Sequence, residues 1–148
     1  MDNDIMRILL VEDNSDHAEL VIRSFNECEI PNEIIHTNDG EEALNYLNRK
    51  LSEKNNDSSN FPNLILLDLR LPKIDGINVL SSIKSHNNFK QIPVVIFTTS
   101  EAPYDIDKSY SNHANSYLVK PNDYPNYKQL INDLAHYWLE LNINNNHS

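Results

Sequence analysis

Short apolar runs recur along the chain and alternate with segments of helical periodicity. Four of the runs are continuous and rich in branched side chains, and a weaker one lies at Ile34–Ile35. The four are Ile8–Val11, Leu64–Leu67, Val94–Phe97 and Tyr117–Val119. Such runs are too short for core helices, and continuous apolarity is typical of strands buried on both faces of a parallel sheet.

Apolar residues at helical spacing lie between and after these runs and predict amphipathic helices. They group within Ala18–Phe25, Ala43–Leu47, Ile77–Ile83 and Tyr127–Leu141. The order indicates five repeats of strand then helix, which predicts an α/β fold with a doubly wound, five-stranded parallel sheet and helices on both faces. We expect the flavodoxin-like strand order 2-1-3-4-5, in which the first and third strands are neighbours.

The length of 148 residues predicts one domain spanning residues 1–148, with a core from about 5 to 141 and no output domain. Two stretches interrupt the pattern. The polar segment Asn55–Asn60 and the tail 142–148 are predicted to be solvated or disordered connections.

Composition narrows the function. A net charge of -10 disfavours nucleic acid as a partner, because the phosphate backbone repels an acidic surface. No apolar run approaches the roughly 20 residues of a membrane span, so we expect a cytoplasmic protein without a membrane segment. With two glycines, the chain contains neither a dinucleotide-binding nor a P-loop signature. The single cysteine, Cys28, can form no internal disulfide, and the six histidines are interpreted as surface or capping residues.

Each continuous apolar run ends in polar residues. These are Glu12 and Asp13, then Asp68, then Thr98 and Thr99, and finally Lys120 with Pro121. Ligands of open α/β sheets bind outside the carboxyl ends of the strands, so these side chains are expected to converge. Three carboxylates and one ammonium carry a charge of about -2, which a hard cation such as Mg2+ neutralises through oxygen ligands.

The combined set resembles the receiver domain of two-component response regulators over roughly residues 5 to 135. The residues that carry the resemblance are Glu12-Asp13, Asp68, Thr98, Tyr117 and Lys120-Pro121, with Asp39–Leu44 and Leu71–Gly76 in support. The resemblance implies that Asp68 accepts a phosphoryl group from a phosphohistidine of a sensor histidine kinase. It also implies that Asp13, Asp68 and the backbone carbonyl of Arg70 ligate Mg2+, with Glu12 acting through water.

The same resemblance assigns roles to the later strand ends. Lys120 would pair with a phosphoryl oxygen, and the Lys120–Pro121 peptide would be cis. Thr98 and Tyr117 would form the switch. After phosphorylation, the Thr98 hydroxyl would draw the following loop inward, and Tyr117 would enter the vacated space.

Partners follow from the same reasoning. A receiver without an output domain would act by binding a downstream protein. The closing helix carries more apolar surface than one stripe requires, at Tyr137, Trp138, Leu139 and Leu141, which indicates either a covered sheet edge or a homodimer face. Three segments are also similar to stand-alone receivers that serve phytochrome kinases, namely Leu51–Asn60, Ile92–Ser100 and Tyr137–Glu140.

Two alternatives stay open at this point. A Mg2+-dependent phosphatase of the haloacid-dehalogenase type also uses an aspartyl nucleophile, but it usually has a second Asp two positions later, where this chain has Arg70. A pseudo-receiver would bind partners without being phosphorylated, and the complete set of acceptor residues argues against it.

Overall fold

A computed structural model of the protein describes residues 5–53 and 60–141. The strands and helices alternate along this part of the chain: β1 Met6–Val11, α1 Ser15–Asn26, β2 Asn32–Thr37, α2 Gly40–Leu51, β3 Leu64–Leu67, α3 Gly76–Ser85, β4 Val94–Thr98, α4 Pro103–Ser111, β5 Ser116–Val119 and α5 Tyr124–Ala135. Helix α5 continues into a π-helical segment, His136–Leu141. None of the helices in these ranges is long and apolar enough to cross a bilayer. The predicted disordered tail and positions 55–59 of the polar segment lie outside the described residues.

The strands form one parallel sheet in the order β2-β1-β3-β4-β5, which confirms the predicted fold. Strand β2 is longer than the weak signal at Ile34–Ile35 suggested. Because β2 lies at the sheet edge and most of its residues are half-buried or exposed, it does not need a continuous apolar sequence.

Helices cover both faces of the sheet, so the central strands are buried on both sides. In β1, Leu9 and Val11 belong to the core layer formed with α2 and α3. Their neighbours Ile8 and Leu10 belong to the layer formed with α1 and α5. Successive side chains of a strand point to opposite faces, and two buried faces therefore require an unbroken apolar run.

Three helices begin with a side-chain cap at the carboxyl edge of the sheet. Asn14 accepts a hydrogen bond from the His17 backbone N–H at 3.0 Å, and Asp39 and Asp123 cap α2 and α5 in the same way. Such caps satisfy backbone donors that the first helical turn leaves without partners. They fix the first turns of these helices beside the strand ends.

Helix α4 is the element that apolar periodicity failed to locate, although five strand–helix repeats required it. Its buried residues are Asp105 and Ser109, and the Ser109 hydroxyl donates to the Asp105 carbonyl at 2.8 Å. A helix whose buried side is polar leaves no apolar stripe in the sequence.

Candidate functional site

The predicted acidic residues meet at the carboxyl ends of β1 and β3. These strands are neighbours with Val11 paired to Leu67, so Glu12 and Asp68 come at the same level of the sheet. The Asp68 N–H donates to the Val11 carbonyl at 3.1 Å. One carboxylate oxygen from each of Glu12, Asp13 and Asp68 lies within 4.8 Å of the others. Glu12 and Asp68 are buried, whereas Asp13 is exposed at the mouth of the cluster.

Lys120 reaches this cluster from the end of β5. Its backbone N–H donates to the Thr98 carbonyl at 2.7 Å, which aligns the ends of β4 and β5. The ammonium donates to Glu12 Oε1 at 2.6 Å and to Asp68 Oδ2 at 3.2 Å, and the Lys120 side chain is only 2% exposed. The fold therefore brings together four of the residues that the sequence predicted, namely Glu12, Asp13, Asp68 and Lys120.

The three carboxylates of the cluster outnumber the single positive charge of Lys120. Burial raises the pKa of Glu12 to about 7, against the opposing effect of its hydrogen bond with Lys120. With all three carboxylates ionised, the cluster carries -3 from Glu12, Asp13 and Asp68 and +1 from Lys120, a net charge of -2. Closely spaced oxygen ligands, one of them facing solvent, match the preferences of a hard divalent cation that retains water. The donor set therefore fits such an ion.

The two predicted switch residues lie beside the loop after β4. Thr98 is fully buried, and its hydroxyl accepts a long hydrogen bond from the Ser100 N–H at 3.4 Å. The Tyr117 hydroxyl donates to the Ser100 carbonyl at 3.0 Å, and its ring packs on the core layer below. Tyr117 therefore contacts the loop after β4, and its role as a switch residue stays a prediction.

The predicted cis peptide between Lys120 and Pro121 is wrong. Within the described residues every peptide bond is trans, this one included. A trans bond before proline is favoured by about 0.5–1 kcal/mol unless the surroundings oppose it. Lys120 makes its contacts with Glu12 and Asp68 from the trans conformation.

Arg70, two positions after Asp68, reaches away from the acidic cluster. Its guanidinium donates to Asp105 Oδ2 on α4 at 2.7 Å, and the Ser100 hydroxyl donates to the same oxygen at 2.5 Å. The Arg70 backbone N–H donates a long hydrogen bond, 3.4 Å, to Asp68 Oδ1. Its backbone carbonyl as a metal ligand stays a prediction.

Sequence reasoning missed two residues, one that contacts Lys120 and one that contacts the loop after β4. His17 was interpreted as a surface or capping residue, yet its Nδ1 lies 2.8 Å from the Lys120 ammonium. Its position in the first turn of α1, directly after the strand end at Glu12-Asp13, was the available signal. Asp105 gave no signal, because its charged partner Arg70 is 35 positions away and is close to it only in the folded chain.

Comparison with known proteins agrees with the fold. The response regulator receiver domain family matches residues 8–132. The probable methanogenesis regulatory protein FilR2 of Methanothrix harundinacea is 45% identical over 91% of this chain and 84% of that protein. The response regulator Rcp1 of Synechocystis sp. is 40% identical over 90% of this chain and 88% of that protein.

Solved structures of response regulators have the same fold as this chain. The phosphorylated cyanobacterial phytochrome response regulator RcpA superposes with a TM-score of 0.84 at 36% identity, over 95% of this chain and 99% of that one. The Mn2+-bound form of Rcp1 superposes with a TM-score of 0.81 at 37% identity, over 94% of this chain and 98% of that one. With its strand-end carboxylates and buried lysine in place, the chain belongs to the response regulator receiver domain family.

Proposed function

We propose that this protein is a cytoplasmic phosphoacceptor switch whose Asp68 receives a phosphoryl group from a sensor histidine kinase. The observation that carries the proposal is the cluster of Glu12, Asp13 and Asp68 around the buried Lys120 ammonium. Phosphoryl transfer needs alignment and positive charge from the protein more than covalent help. In this cluster a carboxylate that can act as the nucleophile lies beside a buried cation.

In the proposed reaction, an Asp68 carboxylate oxygen attacks phosphorus and the bond from phosphorus to the kinase histidine breaks. The bonding electrons leave with the imidazole, and Asp68 becomes an acyl phosphate. Lys120, whose Nζ is 3.2 Å from Asp68 Oδ2, is placed to pair with a phosphoryl oxygen. The Thr98 hydroxyl would donate to another oxygen of the same group.

Mg2+ is the proposed cofactor, held by Asp13, Asp68 and the Arg70 carbonyl, with Glu12 acting through water. When bound, it supplies positive charge to the transferring oxygens. A structure of Rcp1, a relative, in a Mn2+-bound form supports a divalent cation as the cofactor. Hard oxygen ligands favour Mg2+ and Mn2+ alike, and we propose Mg2+ as the ion used.

The readout of phosphorylation would be a change in the loop after β4. Thr98 and Ser100 are linked by a hydrogen bond, and Ser100 is in turn bonded to Tyr117 and Asp105. A Thr98 hydroxyl drawn toward the phosphoryl group would therefore pull on two further side chains and on α4. A local charge event of this kind can bias an element that has two packings.

The proposed partners are a sensor kinase and a downstream protein that binds the altered surface. The phytochrome context of RcpA favours a phytochrome kinase as the phosphodonor.

The π-helical segment after α5 offers one surface for self-association, since Tyr137 is 48% exposed and stacks edge-on against Trp138, which packs on the core. A homodimer through Tyr137 predicts a species of twice the chain mass in sedimentation at micromolar concentration, and a monomer throughout contradicts it.

One assay tests the phosphoacceptor proposal. The protein is incubated with Mg2+ and acetyl phosphate, and the intact mass is measured. We expect a single phosphoryl increment that Asp68→Asn abolishes and that Asp107→Asn, at an exposed aspartate on α4, leaves intact. Absence of any adduct, with acetyl phosphate and with a kinase, would indicate a pseudo-receiver. Rapid turnover of many phosphate esters would indicate a phosphatase.

A further inference from the structure

The Lys120 ammonium has three N–H donors, and the structure supplies three acceptors. They are Glu12 Oε1 at 2.6 Å, His17 Nδ1 at 2.8 Å and Asp68 Oδ2 at 3.2 Å. An ammonium so deeply buried is held in one orientation only when each donor has a partner, because a buried donor without a partner is costly. His17 thus supplies one of the three contacts that direct the ammonium.

The fold fixes the His17 ring beside Lys120. Helix α1 begins at Ser15, directly after its cap Asn14, and the His17 backbone N–H donates to the Asn14 side chain at 3.0 Å. The ring is half-buried. Since an ammonium only donates, Nδ1 accepts, and the neutral ring carries its proton on Nε2. Burial and the neighbouring Lys120 lower the pKa of His17, which favours this neutral form.

We infer that His17 is a positioning residue for phosphoryl transfer: its Nδ1, with Glu12, holds the Lys120 ammonium at the point where a phosphoryl oxygen arrives on Asp68. The inference rests on the proposed function. Of the three contacts, the one to Asp68 is the longest, so it is the contact that is exchanged for a phosphoryl oxygen. Glu12 and His17 then keep Nζ in place during the exchange.

A neutral acceptor is the chemically suitable third partner. A third carboxylate on Lys120 would add negative charge beside an incoming anion and compete with it for the ammonium. An apolar side chain would leave one N–H of Lys120 without a partner. The imidazole satisfies the donor and leaves the positive charge of Lys120 available.

Two variants of His17 separate positioning from space filling. His17→Phe keeps a ring and removes the acceptor, whereas His17→Asn places an amide oxygen close to the position of Nδ1. Phosphorylation by acetyl phosphate is timed at saturating Mg2+, and Mg2+ affinity is measured by calorimetry. We expect His17→Phe to be slower by about three- to tenfold and His17→Asn to stay within about twofold of the unchanged protein, with Mg2+ affinity unchanged in both.

Asp16→Asn is the matched control, since Asp16 is exposed, adjacent on α1 and charged, and we expect it to leave the rate unchanged. A His17→Phe rate equal to that of the unchanged protein overturns the inference, and so does a His17→Asn rate as slow as that of His17→Phe. An unchanged protein that takes up no phosphoryl group overturns the proposed function itself, which is a distinguishable result.

Nitrogen NMR of the histidine rings gives a readout independent of phosphorylation. We expect the His17 Nδ1 signal to be that of an unprotonated, hydrogen-bonded nitrogen, and expect Lys120→Met to shift it. His36, whose Nε2 bonds the Glu12 carbonyl at 2.8 Å, is the internal reference ring. A His17 ring protonated on Nδ1 would overturn the inference.

Discussion

Asp105 joins the start of α4 to Arg70 and to the loop after β4, and its removal should be measurable as lost stability. Its Oδ2 accepts from the Arg70 guanidinium at 2.7 Å and from the Ser100 hydroxyl at 2.5 Å. The Asp105 side chain is 9% exposed, whereas that of Arg70 is 63% exposed. The two contacts should therefore contribute unequally.

The magnitude follows from this difference in exposure. An ion pair with a largely exposed partner contributes about 0.2–1 kcal/mol. A hydrogen bond to a charged group contributes about 1.5–3 kcal/mol. We therefore expect Asp105→Ala to lower the free energy of unfolding by about 2–3 kcal/mol, and Arg70→Ala to lower it by about 0.5–1 kcal/mol.

Urea unfolding at pH 7, followed by far-ultraviolet circular dichroism, measures these differences. For a chain of this size, about 2–4 °C of melting temperature accompanies each kcal/mol, so Asp105→Ala should melt about 5–10 °C lower. Asp107→Ala, exposed on the same helix, is the control for helix propensity. The double variant with Arg70→Ala isolates the pair, whose coupling should stay below about 1 kcal/mol. Equal losses from Asp105→Ala and Arg70→Ala would refute the assignment of the larger contribution to Ser100.

The pKa of Asp105 predicts how its contribution to stability changes with pH. The Ser100 hydroxyl and then Arg70 hold the pKa of Asp105 below its ordinary value of 3.8. A carboxyl whose pKa is lower in the folded state stabilises the fold above the unfolded pKa and loses that contribution as pH falls through the folded value. The difference between the unchanged protein and Asp105→Asn should be full at pH 6 and shrink below about pH 4. A difference that grows on acidification would contradict this.

Two further changes probe the site itself. Lys120→Met leaves the buried carboxylates of Glu12 and Asp68 without their cation, so we expect the free energy of unfolding in urea to fall by about 3–5 kcal/mol. Mg2+ should restore part of this loss, and an equal loss with and without Mg2+ would argue against a cation site. Gly76→Ala places a methyl group 2.5 Å from the Leu69 Cα and still closer to the Asp68 carbonyl oxygen. We expect it to cost at least about 1–3 kcal/mol in the same measurement and to slow phosphorylation, whereas a melting temperature equal to that of the unchanged protein would show that the loop yields.

The sequence by itself determined the sheet and the identity of the acidic site. Runs such as Ile8–Val11 are apolar without interruption because both faces of their strands are covered, and this is visible without coordinates. Since parallel strands end at one edge, the polar residues after each run had to gather there, and Glu12, Asp68 and Lys120 do.

Only the tertiary structure decided which other side chains join them. His17 meets Lys120, and Asp105 meets Arg70 and Ser100, across separations of 103, 35 and 5 positions. A single polar pair leaves no periodic signal, and each of these contacts depends on side-chain rotamers and on the packing of α1 and α4. The predicted cis peptide before Pro121 is trans in the structure, since the sequence permits both isomers and the trans form is intrinsically favoured. Local patterning thus determined where the acidic cluster and Lys120 lie, and long-range packing determined which other side chains contact them.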